Sequence, residues 1–225
     1  MKVLLWDIDG TLLNTDRAGV LAWMEAAEEI HGGPLDASRL KFAGMTDPLI
    51  ADITVNDLMD REGDESIVPR LLARYAELLP DWLPRRTNGF IQPNVLATLE
   101  ALADDPSYEH ALLTGNLEIG AHLKLSHHGI RDFFAWGAFA DGTPIRRDIA
   151  RKARAEAERR HGPDVELFVI GDTHHDIDCG KAVDARTIAV GTGGVTVEEL
   201  RGHDPWWLVE TLPEPTIFRE RLERD

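Results

Sequence analysis

Apolar residues run without a break from Val3 to Trp6 and stop at two carboxylates, Asp7 and Asp9, with Gly10 next. Short apolar runs of the same kind return in the second half of the chain: HALLT at 110–114, FFAWGAF at 133–139, VELFVIGD at 165–172, TIAVGTG at 187–193 and WWLVE at 206–210. Amphipathic stretches lie between them, at 117–128 before Gly129 and at 146–161 before Gly162, each glycine a C-cap signal. Thr196 and Glu199 have the spacing of a capping box. Strands alternating with helices predict a parallel sheet covered on both faces, with residues 3–7 as its first strand.

The segment 15–86 follows a different pattern and contains no convincing strand. Val20, Trp23, Met24, Ala27 and Ile30 recur at helical spacing, and Gly32-Gly33 ends that helix. A second helix opens at Thr46 or Asp47, with Pro48 in its first turn, and buries Leu49, Ile50 and Ile53. A third carries Leu71, Leu72, Tyr75, Leu78 and Leu79, after which Pro80, Pro84 and Asn88-Gly89 punctuate a return to the sheet. The pattern predicts an α/β core, 1–14 with 87–225, and a helical insert, 15–86, that roofs the carboxyl ends of the strands, where open parallel sheets bind ligands.

Composition narrows the partners. Lys and Arg number 24 against 40 Asp and Glu, a formal charge of −16. That charge argues against nucleic acid, which demands clustered cations, but not against a small phosphorylated ligand, which needs only local positive charge. No apolar stretch approaches the length of a membrane span, so no membrane association is expected. The single cysteine, Cys179, permits no internal disulfide and suits a reducing, cytoplasmic setting. Nothing in the composition sets an oligomeric state.

The candidate chemistry lies at the strand ends. If the first strand continued, Asp7 and Asp9 would point to the same side, and like charges that close need a cation or a proton between them. HALLT ends in Thr114-Gly115-Asn116, and VELFVIG ends in Asp172 with Asp176 four residues on. Each motif alone is weak; in this order, each after an apolar run, they are strong. Gly44-Met45-Thr46-Asp47 is either a helix N-terminus offering N–H groups to an anionic substrate or an ordinary helix start. His174-His175 lacks the usual zinc-ligand spacing, and Gly191 to Gly194 lacks the dinucleotide fingerprint.

DIDGTLL, the helical insert, LLTGN and VIGDTHHDID together resemble the haloacid dehalogenase-like hydrolase superfamily, in particular its phosphatases with a helical cap of the phosphoglycolate phosphatase type. The resemblance implies a Rossmann-like parallel sheet and a small phosphorylated metabolite as substrate. It implies that Asp7 is the nucleophile and Asp9 the acid and then the base. Thr114 and the Gly115 N–H would hold phosphoryl oxygens, with Asn116 beside them. Mg²⁺ would be held by Asp7, the Asp9 carbonyl and Asp172, with Asp176 acting directly behind them or through water. Thr46 and Asp47 are the candidate substrate contacts of the cap. The family commonly places a Lys or Arg before the last acidic motif, often as Lys-Pro; here the stretch reads PIRRD, then Arg151 and Lys152. Arg146, at a helix start, is the first choice as the phosphate-binding cation, with Arg147 and Lys152 the alternatives. The rival functions are a phosphomutase of the same superfamily and a non-catalytic binding or regulatory protein on the same scaffold.

Overall fold

The computed structural model describes residues 1–40, 42–61, 64 and 66–224. Its strands in chain order are β1 (Lys2–Trp6), β2 (Leu13–Asn14), β3 (Phe90–Ile91), β4 (Tyr108–Leu113), β5 (Gly137–Ala138), β6 (Glu166–Gly171), β7 (Arg186–Val190) and β8 (Trp207–Val209). The helices are α1 (Ala18–His31), α2 (Asp47–Ile53), α3 (Ile67–Trp82), α4 (Val95–Ala103), α5 (Glu118–His127), α6 (Arg146–His161), α7 (His174–Lys181), α8 (Val197–Gly202) and α9 (Pro215–Glu223). Among the described residues no helix is long and apolar enough to cross a membrane.

The main sheet has six strands in the order β5-β4-β1-β6-β7-β8, and every pairing is parallel. β1 is central, with Leu4 opposite both His110 and Phe168. From Val3 onward it is apolar because both of its faces are covered: Leu4 and Trp6 join one layer, Val3 and Leu5 the other. The first layer contains Val95, Leu99 and Leu102 of α4, Ala121 and Leu125 of α5, and Phe218 and Leu222 of α9. The second contains Ile149, Ala150, Ala153 and Ala157 of α6. The chain runs outward from β1 to β4 and β5, then crosses back to β6, β7 and β8. The direction of winding thus reverses at β1, which opens a crevice at the carboxyl ends of β4, β1 and β6.

The all-helical cap is inserted after the first strand. Its own core includes Trp23 of α1, Ile50 of α2, and Leu71, Tyr75 and Leu79 of α3. The Trp23 and Tyr75 ring centroids lie 5.1 Å apart. α2 runs on into a π-helical turn at Thr54–Leu58, where the Thr54 hydroxyl donates to the Ile50 carbonyl and accepts from the Trp23 indole. The chain leaves and returns through an antiparallel pair, with Leu13 opposite Ile91 and Asn14 opposite Phe90. An Arg86–Asp16 ion pair at 3.1 Å lies beside it.

Gly32 and Gly162 end α1 and α6 as expected, and the Thr196–Glu199 capping box is present. Two expectations need correcting. FFAWGAF yields only the two-residue β5, because Arg131–Phe133 form a 3₁₀ turn and Phe134 turns into the core. Pro80 lies inside α3, which continues to Trp82. Two core helices, α4 and α9, have no counterpart in the sequence pattern as read above.

Candidate active site

Asp7 is the first residue beyond β1, and its N–H continues the ladder by donating to the Ile170 carbonyl at 2.9 Å. The chain then turns sharply: the N–H groups of Leu12 and Leu13 return to the Ile8 carbonyl, and Gly10 takes φ +88°. A Cβ at Gly10 would stand 2.6 Å from an Asp172 oxygen, so glycine both permits the turn and makes room for that carboxylate. Asp7 is buried, whereas the Asp9 side chain is 44 % exposed toward the cavity. Asp7 and Asp9, on either side of Ile8, both line one cavity.

Thr114, at the end of β4, is fully buried and accepts from the Asn116 side-chain amide at 2.8 Å and from the Asn116 N–H at 3.3 Å. With its lone pairs so occupied, its hydroxyl proton is free to donate. At the end of β6, Asp172 accepts from the Thr11 hydroxyl at 3.0 Å. Asp176 caps α7: one of its oxygens accepts from the Thr173 N–H and hydroxyl, and the other pairs with the Arg146 guanidinium. Arg146 also reaches Asp7 at 3.1 Å and the Gly44 carbonyl at 3.0 Å, while its buried Nε has no partner among the described residues. Arg147 and Lys152 are exposed, and the Lys152 ammonium lies 3.3 Å from the Asp141 carbonyl.

Oxygens of Asp7, Asp172 and Asp176 all lie within 4.8 Å of one another. Burial pushes the Asp7 carboxyl up to about 7, with Asp176 and Asp9 adding to the rise and Arg146 opposing it. Burial and the charge of Asp7 raise Asp172 well above the usual carboxylate range. Arg146 is held protonated: burial opposes its charge, but Asp176 and Asp7 outweigh that cost. Crowded, dehydrated carboxylates of this kind are what a hard divalent cation relieves, and their all-oxygen donor set fits one.

A sequence model described as haloacid dehalogenase-like hydrolase matches residues 4–181. The chain belongs to that family. A pyrophosphatase PpaX of Oceanobacillus iheyensis is 22 % identical over 216 residues, covering 95 % of this chain and 94 % of its own. A phosphoglycolate phosphatase of Neisseria meningitidis is 25 % identical over 220 residues, covering 95 % and 92 %. Among solved structures, one described as a predicted phosphoglycolate phosphatase from Haemophilus somnus superposes with a TM-score of 0.76 at 17 % identity, over 98 % of both chains; at that identity the likeness shows the fold.

In this haloacid dehalogenase-like hydrolase the cavity over the strand ends measures about 420 Å³. Asp7, Asp9, Thr114, Gly115, Asn116, Arg146 and Asp172 line its floor; Val20, Trp23, Phe42, Met45, Ile50 and Tyr75 line its roof. Of the two cap residues expected at the substrate, Asp47 lines the cavity and Thr46 does not. The Thr46 hydroxyl is occupied, donating to the Pro144 carbonyl at 2.9 Å and accepting from the Leu49 N–H as the N-cap of α2. Asp47 accepts from the Leu117 N–H and donates its own N–H to the Gly115 carbonyl, which docks the cap on the core. The sequence reading missed Lys124 of α5, whose ammonium reaches Asp9 at 2.5 Å. Gly120, Ala121, Lys124 and Leu125 form the buried face of that helix, with the lysine in register.

Proposed function

We propose that this hydrolase is a Mg²⁺-dependent phosphatase that cleaves a small phosphomonoester through an aspartyl-phosphate on Asp7. One observation carries the reading: three neighbouring strand ends deliver Asp7 and Asp9, Thr114, and Asp172 to one cavity, with a buried arginine beside them. Asp7, the Asp9 carbonyl and Asp172 would hold the metal, with Asp176 reaching it through water, since both of its oxygens already have partners. Bound there, Mg²⁺ would neutralise the repulsion between a carboxylate nucleophile and a phosphate dianion.

An Asp7 oxygen attacks phosphorus, and the ester oxygen departs with a proton from Asp9. Asp9, now a carboxylate, takes a proton from water as that water attacks phosphorus, which releases phosphate and restores Asp7. The free Thr114 hydroxyl proton and the Gly115 N–H suit the phosphoryl oxygens. Arg146, whose Nε has no partner among the described residues, supplies positive charge from a planar fork. The relatives named for phosphoglycolate and pyrophosphate support a small phosphorylated substrate.

Phosphate release from p-nitrophenyl phosphate, with Mg²⁺ and after chelation, tests the reading. Activity should vanish in excess chelator and return with Mg²⁺. Asp7→Asn should lower kcat by at least about 10³-fold while leaving the unfolding transition in place, because the amide matches the carboxylate in size but lacks its nucleophilic oxygen. Full activity in excess chelator would overturn the metal role, and full activity of Asp7→Asn would overturn the nucleophile.

A further inference from the structure

Lys124 lies on the inner face of α5 between Ala121 and Leu125, and its side chain is only 6 % exposed. A charged head in such a place is costly unless other groups compensate it. Its ammonium lies 2.5 Å from Oδ2 of Asp9 and 2.7 Å from the Asn116 carbonyl oxygen. The Asn116 amide donates to the same Asp9 oxygen at 2.9 Å, closing a triangle. The cap completes the surroundings. A Cβ at Gly19 would stand 3.6 Å from both Lys124 Cε and the Tyr75 hydroxyl, and one at Gly120 would stand 3.8 Å from that hydroxyl and 3.9 Å from an Asp47 oxygen. Burial works against the ammonium, but Asp9, Tyr75 and Asp47 outweigh it and keep the lysine charged.

We propose that Lys124 is a positioning residue that, with Asn116, tethers one oxygen of Asp9 and so aims the other at the leaving group. The inference rests on the phosphatase reading, in which Asp9 exchanges protons with the substrate. Two donors converge on Oδ2, and among the described residues no hydrogen-bond donor reaches Oδ1. An untethered Asp9, nearly half exposed, would rotate among its side-chain rotamers. A misplacement of about 1 Å can cost a reaction about 100-fold. Because Tyr75 descends from α3 onto the same lysine, the cap touches the tether when it covers the cavity.

The test compares kcat/KM of the wild type and Lys124→Met, which keeps the stem and removes the ammonium, on an alkyl phosphomonoester and on p-nitrophenyl phosphate. This ratio reports events through departure of the first product, which only the alkyl alcohol leaves with difficulty. We expect about a 100-fold loss on the alkyl ester and no more than about threefold on the nitrophenyl ester. In an Asp9→Asn background, Lys124→Met should cost nothing further on the alkyl ester. Should Lys124→Met not fold, Lys124→Arg moves the donor while keeping the charge, and the same split between esters is expected. Equal losses on both esters, no loss on either, or additive losses in the double variant would overturn the inference while leaving the phosphatase reading intact. A wild type inert toward both esters with Mg²⁺ would overturn both.

Discussion

Asp47 carries a carboxylate into a place with little water, and burial pushes it up to about 6 from 3.8. Well below pH 3.8 the group is protonated in the folded and unfolded chains alike and costs nothing. As pH rises through 4 to 6 the unfolded chain ionises first, so the folded state loses stability, by about 3 kcal/mol once both forms are ionised. Asp47→Asn keeps an oxygen for the Leu117 N–H and removes the charge. Unfolding measured at pH 4 and pH 7.5 should show the variant gaining far more on the wild type at the higher pH; an equal difference at both would contradict this account. At this scale, much of the site was legible. Asp7, Asp9, Thr114 and Asp172 interrupt apolar runs, and Arg146 opens a helix whose next basic residues, Arg147, Arg151 and Lys152, are exposed. Lys124 was hidden because a lysine within a helix is ordinarily counted to the solvent face. Thr46 misled because a hydroxyl that caps a helix and one that contacts a ligand look alike in a sequence.

Among the elements, α2 docks on the end of β4 backbone against backbone. A Cβ at Gly115 would collide with the Met45 carbonyl oxygen and stand 3.1 Å from the Thr46 Cα, both parts of a backbone that cannot step aside. Gly115→Ala should therefore lift the start of α2 and lower kcat/KM for an alkyl phosphomonoester at least about tenfold, about 1.4 kcal/mol. Steady-state kinetics checks this, and an unimpaired variant would show that the contact has slack. The helices with capping signals were legible, and α4 and α9 were not. α4 carries apolar residues beyond its buried face, with Leu96 39 % exposed, so no stripe stands out. α9 buries only Phe218 and Leu222 and exposes Ile217, too little periodicity to register.

For the molecule as a whole, the acidic cluster under the cavity is a standing source of repulsion that a divalent cation would remove. Binding to the folded state alone adds about 2.7 kcal/mol at 100 times Kd, or roughly 5–10 °C in Tm for a chain of this size. Thermal unfolding with and without Mg²⁺ should show that rise in the wild type and lose most of it in Asp172→Asn. An equal rise in both would place the cation elsewhere.

The antiparallel pair of β2 and β3 matters at this scale as well. Because Leu13 faces Ile91 and Asn14 faces Phe90, the cap begins and ends at neighbouring points. Topologically it is one long loop on a sheet whose strand order it does not enter. Closing a loop grows more costly only with the logarithm of its length. A roof of another size or shape could thus be grafted across the same two strands without retying the sheet.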